Sequence, residues 1–373
     1  MFDRIHRLRR GAAGAAMVLA AAAVLAGCSD NDNGQNSLDP KGPAADQILD
    51  LFTPFFWIAT VIGIGVIGGT IFVALRFREP PGEERNPKQV HGNTALEISW
   101  TIIPALILAV MAVFTIPVIF DLAETPEGDD VVHVTVTGRQ WFWEYEYTDD
   151  ELLTANELHI PVGRPVSLTI TAPDDGVLHS FWVPELNGKK DAVPGREEPL
   201  TIEADEPGTY LGQCTEYCGL SHADMRLRVI AMPNDEYEAW VAAQKEALDA
   251  PQQAFVDSVI DEQWQCTSCH ALSSTPGEGA NIGPNLTHVG DRTTFAAGTY
   301  DTNAKNLTDW VHNAPSMKPF GDYINRMPAF VDEGMSVEEA QEIAEFLCST
   351  ATDEAGAERC RTGTDEFATG LRE

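Results

Sequence analysis

The sequence predicts a membrane-anchored multidomain protein: a two-helix transmembrane hairpin, then a Greek-key β-sandwich, then a small all-α domain. Three observations carry this. Residues 51–75 and 98–120 are apolar stretches of 25 and 23 residues without a charge, long enough to cross a bilayer and too long for ordinary buried core helices. From Val131 the pattern changes to short alternating runs punctuated by Pro and Gly, which reads as several short strands. Past Ala250-Pro251 the composition becomes helical around a Cys-x-x-Cys-His motif at 266–270. At 373 residues the chain has room for two or three domains.

The balance of 24 Lys and Arg against 57 Asp and Glu leaves a formal net charge of -33. That argues against nucleic acid and for basic partners or plain solubility. The seven cysteines fall at 28, 214, 218, 266, 269, 348 and 360. Each group has its own local explanation, so they do not form a disulfide framework of the small-secreted-domain kind.

Taken in order, the N-terminus is a targeting segment. Arg4, Arg7, Arg9 and Arg10 form a basic region ahead of an apolar run that ends Leu25-Ala26-Gly27-Cys28-Ser29. This resembles a bacterial lipoprotein cleavage box, which would leave Cys28 as a lipidated N-terminus outside the cytoplasmic membrane; an ordinary signal peptide is the plain alternative. Residues 30–43 are polar and rich in Asn, Gly and Pro, and read as a flexible tether. The loop between the two apolar spans carries Arg76, Arg78, Arg85 and Lys88, which places it in the cytoplasm. Everything after Asp121 is then expected outside. Glu97 stands at the cytoplasmic start of the second span, where a carboxylate also suits the helix macrodipole.

In the outer part, Val132, Val134 and Val136 alternate with His133, Thr135 and Thr137. The aromatic run Trp141-Phe142-Trp143-Glu144-Tyr145-Glu146-Tyr147 follows, with Phe142, Tyr145 and Tyr147 expected in the core. Further strands are expected at 157–160, 166–172, 180–183, 200–203, 208–213 and 227–231. Between the last two lies Cys214-Thr215-Glu216-Tyr217-Cys218-Gly219-Leu220-Ser221-His222-Ala223-Asp224-Met225. Sulfur and imidazole ligands favour copper or zinc over hard cations, and one copper needs only one Cys. The second thiol allows two metal ions to be bridged, with His179 of Leu178-His179-Ser180-Phe181-Trp182 and His222 each serving one ion. A Cys214–Cys218 disulfide is the plain alternative.

Cys-x-Glu-x-Cys-x3-His-x2-Met, preceded by His-Ser-Phe-Trp-Val-Pro, resembles the binuclear copper (CuA) loop of cytochrome c oxidase subunit II. The resemblance implies a cupredoxin-like sandwich in which Cys214 and Cys218 bridge the coppers and His179 and His222 are terminal ligands. Met225 and the Glu216 carbonyl would be weak axial ligands. It further implies that Trp141 is where electrons enter and that Glu97 lies near the mouth of a proton pathway. The Glu216 side chain would bind magnesium at the interface with subunit I, and the turn at 189–196 would touch that subunit.

Residues 235–248 have helical composition and lead out of the sandwich. Cys266-Thr267-Ser268-Cys269-His270 is the attachment signature of c-type heme, the thiols binding the vinyl groups and His270 the iron. Met327, in Arg-Met-Pro-Ala-Phe, is the expected sixth ligand; Met317 is the alternative. Ile282-Gly283-Pro284-Asn285-Leu286 is similar to the segment that packs beside the heme in class I cytochromes c. That resemblance implies an all-α fold with helices near 255–263 and 336–348, and His288 and His312 are expected to be surface or supporting residues. Cys348 and Cys360 are expected to form a disulfide that pins the tail.

These readings divide the chain into a lipoprotein-type signal peptide and lipobox (1–28), tether (29–45), transmembrane hairpin (46–122), cupredoxin-like CuA domain (123–233), linker helix (234–251), class I cytochrome c domain (252–349) and C-terminal extension (350–373). Together they resemble a bacterial oxidase subunit II with a fused cytochrome c. The implied partners are subunits I and III, a cytochrome c-type donor and membrane lipid, with no nucleic acid. Electrons would pass through heme c and CuA to the subunit I heme-copper site, where oxygen reduction is coupled to proton translocation. The corresponding subunit of a nitric oxide reductase, or a stand-alone membrane-anchored carrier, are the other readings. Quinol oxidase subunits lack the copper ligands present here.

Overall fold

The computed structural model describes residues 34–78, 89, 91–128, 130–321 and 326–363. The expected signal peptide, Cys28, Arg85 and Lys88 lie outside the described residues. Helices α1 (Pro43–Arg76) and α2 (Thr94–Ala123) have 34 and 30 residues, so they span about 51 and 45 Å at 1.5 Å per residue. A hydrocarbon core is about 30 Å thick. Their large apolar side chains point outward all round, as a lipid-facing hairpin requires. Asn93 caps α2, its side chain accepting from the Ala95 and Leu96 amides at 3.1 and 3.3 Å, with Glu97 exposed in the first turn.

The expected tether is not loose over residues 34–42. Lys41 N donates to Glu185 O at 2.7 Å, Asp205 N to Lys41 O at 2.9 Å, and Leu211 N to Gly34 O at 3.3 Å. A polar, Gly- and Pro-rich composition shows that a segment builds no core of its own; it does not reveal that its backbone can bond to a neighbouring sheet.

The sandwich has ten strands: β1 (Val132–Arg139), β2 (Phe142–Tyr147), β3 (Leu152–Ala155), β4 (Glu157–Pro161), β5 (Val166–Thr171), β6 (His179–Trp182), β7 (Lys190–Ala192), β8 (Glu198–Ile202), β9 (Gly208–Cys214) and β10 (Arg226–Met232). One sheet has the order β3-β2-β1-β5-β8 and the other β4-β10-β9-β6-β7. The pairs β1/β5 and β4/β10 are parallel and the rest antiparallel. Alternation in β1 turns its valines inward, against Tyr145, Leu168, Phe181 and Val229 in one core. Strand β2 is buried on both faces, because Trp143, Tyr145 and Tyr147 fill the core while Phe142 packs on Ala297 of the next domain.

Helix α3 (Asn234–Gln244) leaves the sandwich, with Trp240 stacked on His159 at 4.2 Å. Then α4 (Ala250–Phe255) runs on through a π-turn at Val256–Asp261, and β11 (Thr294–Phe295) pairs with β12 (Tyr300–Asp301). Three helices follow: α5 (Ala304–Met317), α6 (Val337–Ser349) and α7 (Glu354–Thr362). Phe255 of α4 stacks on Phe346 of α6 at 4.7 Å, and a Ser336–Glu339 capping box starts α6. His288 is buried, not at the surface: its ring nitrogens lie 2.8 and 2.9 Å from Thr350 O and Glu246 O.

The two outer domains share a tight interface. Glu157 of β4, 1% exposed, accepts from Thr293 N (3.1 Å), Thr293 Oγ1 (2.5 Å), Thr294 N (2.9 Å) and Thr294 Oγ1 (2.9 Å). Leu153 N donates to Ser274 O at 2.7 Å and Arg226 N to Ala297 O at 3.0 Å.

The Cys348–Cys360 disulfide closes a separation of 12 residues and ties α7 to α6. Arg359 adds hydrogen bonds to the Gly290 and Asp291 carbonyls at 3.1 and 2.7 Å. Cys360→Ser is expected to destabilise the C-terminal domain by about 2–4 kcal/mol, measured by denaturant unfolding of the full chain followed by tryptophan fluorescence. An unchanged midpoint would contradict a structural role for the bridge.

Candidate metal centre and heme pocket

The first site is built on the end of β9, the start of β6 and the loop that leads into β10. Pairing of Phe181 with Cys214 sets β6 beside β9, which brings His179 to the loop. Cys214 and Cys218 Sγ are 3.8 Å apart. His179 Nδ1 lies 3.9 Å from Cys214 Sγ, and His222 Nδ1 3.6 Å from Cys218 Sγ. Met225 Sδ is 3.8 Å from Cys218 Sγ and 3.1 Å from His179 Nδ1, and the Glu216 carbonyl is 3.2 Å from Cys214 Sγ. All six sequence-predicted ligand residues therefore converge on one small space. His179, Cys214 and Cys218 are themselves buried.

Two thiols, two imidazoles, a thioether and a carbonyl form a soft donor set that suits copper and leaves hard cations poorly served. The two thiols hydrogen-bond to each other. The Cys218 hydrogen bond, with help from His179 and the backbone, holds Cys214 well below the usual thiol range. The same bond, with burial, pushes Cys218 up. A cation between the sulfurs would favour both as thiolates.

The loop is held from behind by the aromatic strand. Gln140 Nε2 and Trp141 Nε1 both donate to Cys218 O, at 2.7 and 3.0 Å. Gly219 has φ +117°, and a Cβ there would lie 2.8 Å from the Trp141 ring. Only glycine allows the loop to pass this close to the indole. Trp143 meets His179 edge-on at 5.9 Å and fixes the ring's face.

The second site is a cavity of about 320 Å³ whose lining includes Cys266, Cys269, His270, Trp264, Phe346 and Met327, within the ~300–1,000 Å³ usual for cofactor sites. His270 Nδ1 lies 2.7 Å from Pro284 O. A carbonyl only accepts, so Nδ1 carries the proton and Nε2 is left with its lone pair for a metal. Burial lowers the His270 pKa and favours the neutral ring. A Cβ on Gly283 would strike this imidazole. Burial pushes Cys266 up to about 11, unlike the low-pKa thiol of a redox dithiol motif. Trp264 Nε1, buried without a partner among the described residues, belongs to the same lining and offers a donor to a bound group. These features fit a covalently held heme. Met327 lines the cavity, whereas Met317 is absent from its walls and its carbonyl accepts from Tyr300 OH at 2.5 Å.

The two sites meet. Gln140, Trp141, Phe142 and Asn156 of the sandwich form part of the cavity wall. Trp141 is 6% exposed, with Phe320 of the cytochrome domain packed on it at 6.1 Å and Trp310 on Phe320 at 6.0 Å. Lys318 Nζ donates to Asp224 O (2.9 Å), Ala296 O (2.9 Å) and Trp141 O (3.4 Å). Burial pushes this lysine down to about 7, against the pull of Asp224 and Cys218. Gln140, Lys318 and Phe320 were not singled out from the sequence. Lys318 stands in the Ser-Met-Lys-Pro segment considered only for its methionine, and its surroundings arise from chain folding across 177 residues.

The chain matches the family "Cytochrome C oxidase subunit II, transmembrane domain" over residues 31–118, the periplasmic domain of the same subunit over 151–232, and "Cytochrome c" over 252–351. It is 39% identical to cytochrome c oxidase subunit 2 of Alkalihalophilus pseudofirmus, across 87% of this chain and 93% of that one. A quinol oxidase subunit 2 from Bacillus spizizenii is 35% identical over 58% of this chain and 68% of its own length. Among solved structures, the periplasmic domain of subunit II of cytochrome oxidase from Bradyrhizobium japonicum is 30% identical over 33% of this chain and 97% of that one, with a TM-score of 0.31. The matched domains imply copper and heme c binding, and the two apolar helices anchor the chain in the membrane with its later domains on the outer face. The chain belongs to the cytochrome c oxidase subunit 2 family and carries a cytochrome c domain at its C-terminal end.

Proposed function

We propose that the chain is the electron-input subunit of a cytochrome c oxidase, taking electrons from a cytochrome c-type donor and delivering them by way of heme c and CuA to subunit I for oxygen reduction coupled to proton translocation. The observation that carries this reading is the shared wall: Trp141 lines the heme cavity and its indole N–H donates to the carbonyl of Cys218. When bound, heme iron and the copper pair supply reversible one-electron storage, the pair spreading the valence change over two ions.

The rest falls to the protein. Cys214 and Cys218 would bridge the metal pair, His179 and His222 would end it, and Met225 and the Glu216 carbonyl would cap it. The rigid sandwich keeps these donors in place whether or not the charge on the site changes. Cys266, Cys269, His270 and Met327 would hold the heme, the thiols covalently and His270 and Met327 through its iron. Burial of Trp141 under Phe320 keeps water out of the space between the two sites and closes this tryptophan to a separate donor protein. The domain linker makes the fused cytochrome a resident at an effective concentration on the order of millimolar. Towards subunit I, the turn at 189–196 would make contact, the Glu216 carboxylate would offer a ligand for magnesium, and Glu97 would open the proton path.

Cys218→Ser should abolish copper binding while heme c stays attached, read as metal content and heme absorbance of the purified complex. Loss of both cofactors together would contradict two independently held sites. Met327→Ala should shift the heme Soret band and remove the weak sulfur-to-iron band, and an unchanged spectrum would move the axial role to another residue.

A further inference from the structure

We propose that Lys318 is a positioning residue for electron transfer between the two redox sites, an ammonium carried by the cytochrome domain onto the main chain of Trp141 and of the copper loop. The inference rests on the electron path proposed above and adds a residue that sets its geometry and field.

Lys318 is 2% exposed and its three hydrogen bonds go to carbonyls alone. An ammonium has three donors and no acceptor capacity, so three carbonyls satisfy it as a cation. No carboxylate is among these three partners. Burying a cation in this way is expensive, and the domain contact does not require it. Glu157 with Thr293 and Thr294, Leu153 with Ser274, and Arg226 with Ala297 already hold the domains together.

What sets Lys318 apart is where its partners lie. Trp141 O belongs to the residue that joins the heme cavity to Cys218. Asp224 O belongs to the residue just before Met225. Ala296, the third partner, lines the cavity. The next two residues continue the contact: Pro319 O accepts from Ser221 Oγ of the copper loop, and Phe320 packs on Trp141. Lys318 thus locks the indole, the Met225 end of the loop and the cavity wall to one atom. Electron transfer falls steeply with distance, so a small slip here is costly. In the protonated form of Lys318, which the three carbonyls favour, its charge would also favour the reduced state of a metal pair held in the loop.

The test uses the whole oxidase complex carrying Lys318→Met or Lys318→Gln. Thr299→Val is the control, since Thr299 Oγ1 donates to the same Asp224 carbonyl at 3.1 Å without a charge. Two quantities are read: the midpoint potential of the copper pair by redox titration, and the rate of heme-to-copper transfer after photoreduction of heme c. Both Lys318 variants should retain copper and heme, slow the internal transfer at least tenfold, and lower the reduced-to-oxidised copper ratio at fixed potential about tenfold, or 59 mV for a one-electron couple. Thr299→Val should leave both near wild type. Wild-type values in Lys318→Met would overturn the proposal. So would loss of copper in both Lys318 variants beside a normal Thr299→Val, because Lys318 would then be a structural residue of the interface. A wild-type complex with no heme-to-copper transfer would instead refute the electron path itself.

Discussion

One carboxylate deep between two domains governs how this molecule is assembled. Glu157 lies on β4 of the sandwich, yet the donors that surround it come from Thr293 and Thr294 of the cytochrome domain. Buried Arg228 and Arg292 are near enough to feel its charge. A buried carboxylate left without such donors would cost several kcal/mol, so this arrangement is stable only while the cytochrome domain sits in this position. The Leu153–Ser274 and Arg226–Ala297 backbone bonds fix the same alignment.

From that alignment follows the relation between the two redox sites. The copper loop presents its Cys218 carbonyl to Gln140 and Trp141, and the reverse side of the same pair walls the heme cavity. Without the cytochrome domain, this tryptophan would lie open on the sandwich. Here Phe320 and Lys318 occupy that place, so in the proposed function an outside donor would meet the cytochrome domain and not this tryptophan.

Local chemistry was legible in the sequence and distant chemistry was not. The ligands lie within a twelve-residue loop plus one histidine on a neighbouring strand, and the heme cysteines and histidine within five residues, so the spacing itself speaks for the site. Alternation in β1 and two uncharged spans likewise reveal themselves through periodicity and length. By contrast, β3 and β7 are four and three residues long, too short to show a period, and α5 carries Pro315 and a kink at Asn313 that interrupt a helical pattern. Lys318 and Glu157 looked like any solvated charge, because what buries them comes from the other domain. His288, read as a surface or supporting residue, is buried because its ring nitrogens reach carbonyls at both ends of the C-terminal part, Glu246 before it and Thr350 after it.

The proposed function requires two redox sites of different kinds in one chain, a bridged copper pair and a low-spin c-type heme. Electron paramagnetic resonance of the oxidised complex tests this most directly. The predicted spectrum has hyperfine splitting from two equivalent copper nuclei sharing one unpaired electron, beside a low-spin heme signal. Splitting from a single copper nucleus would contradict the account, and the loop at 214–225 would then hold a mononuclear site.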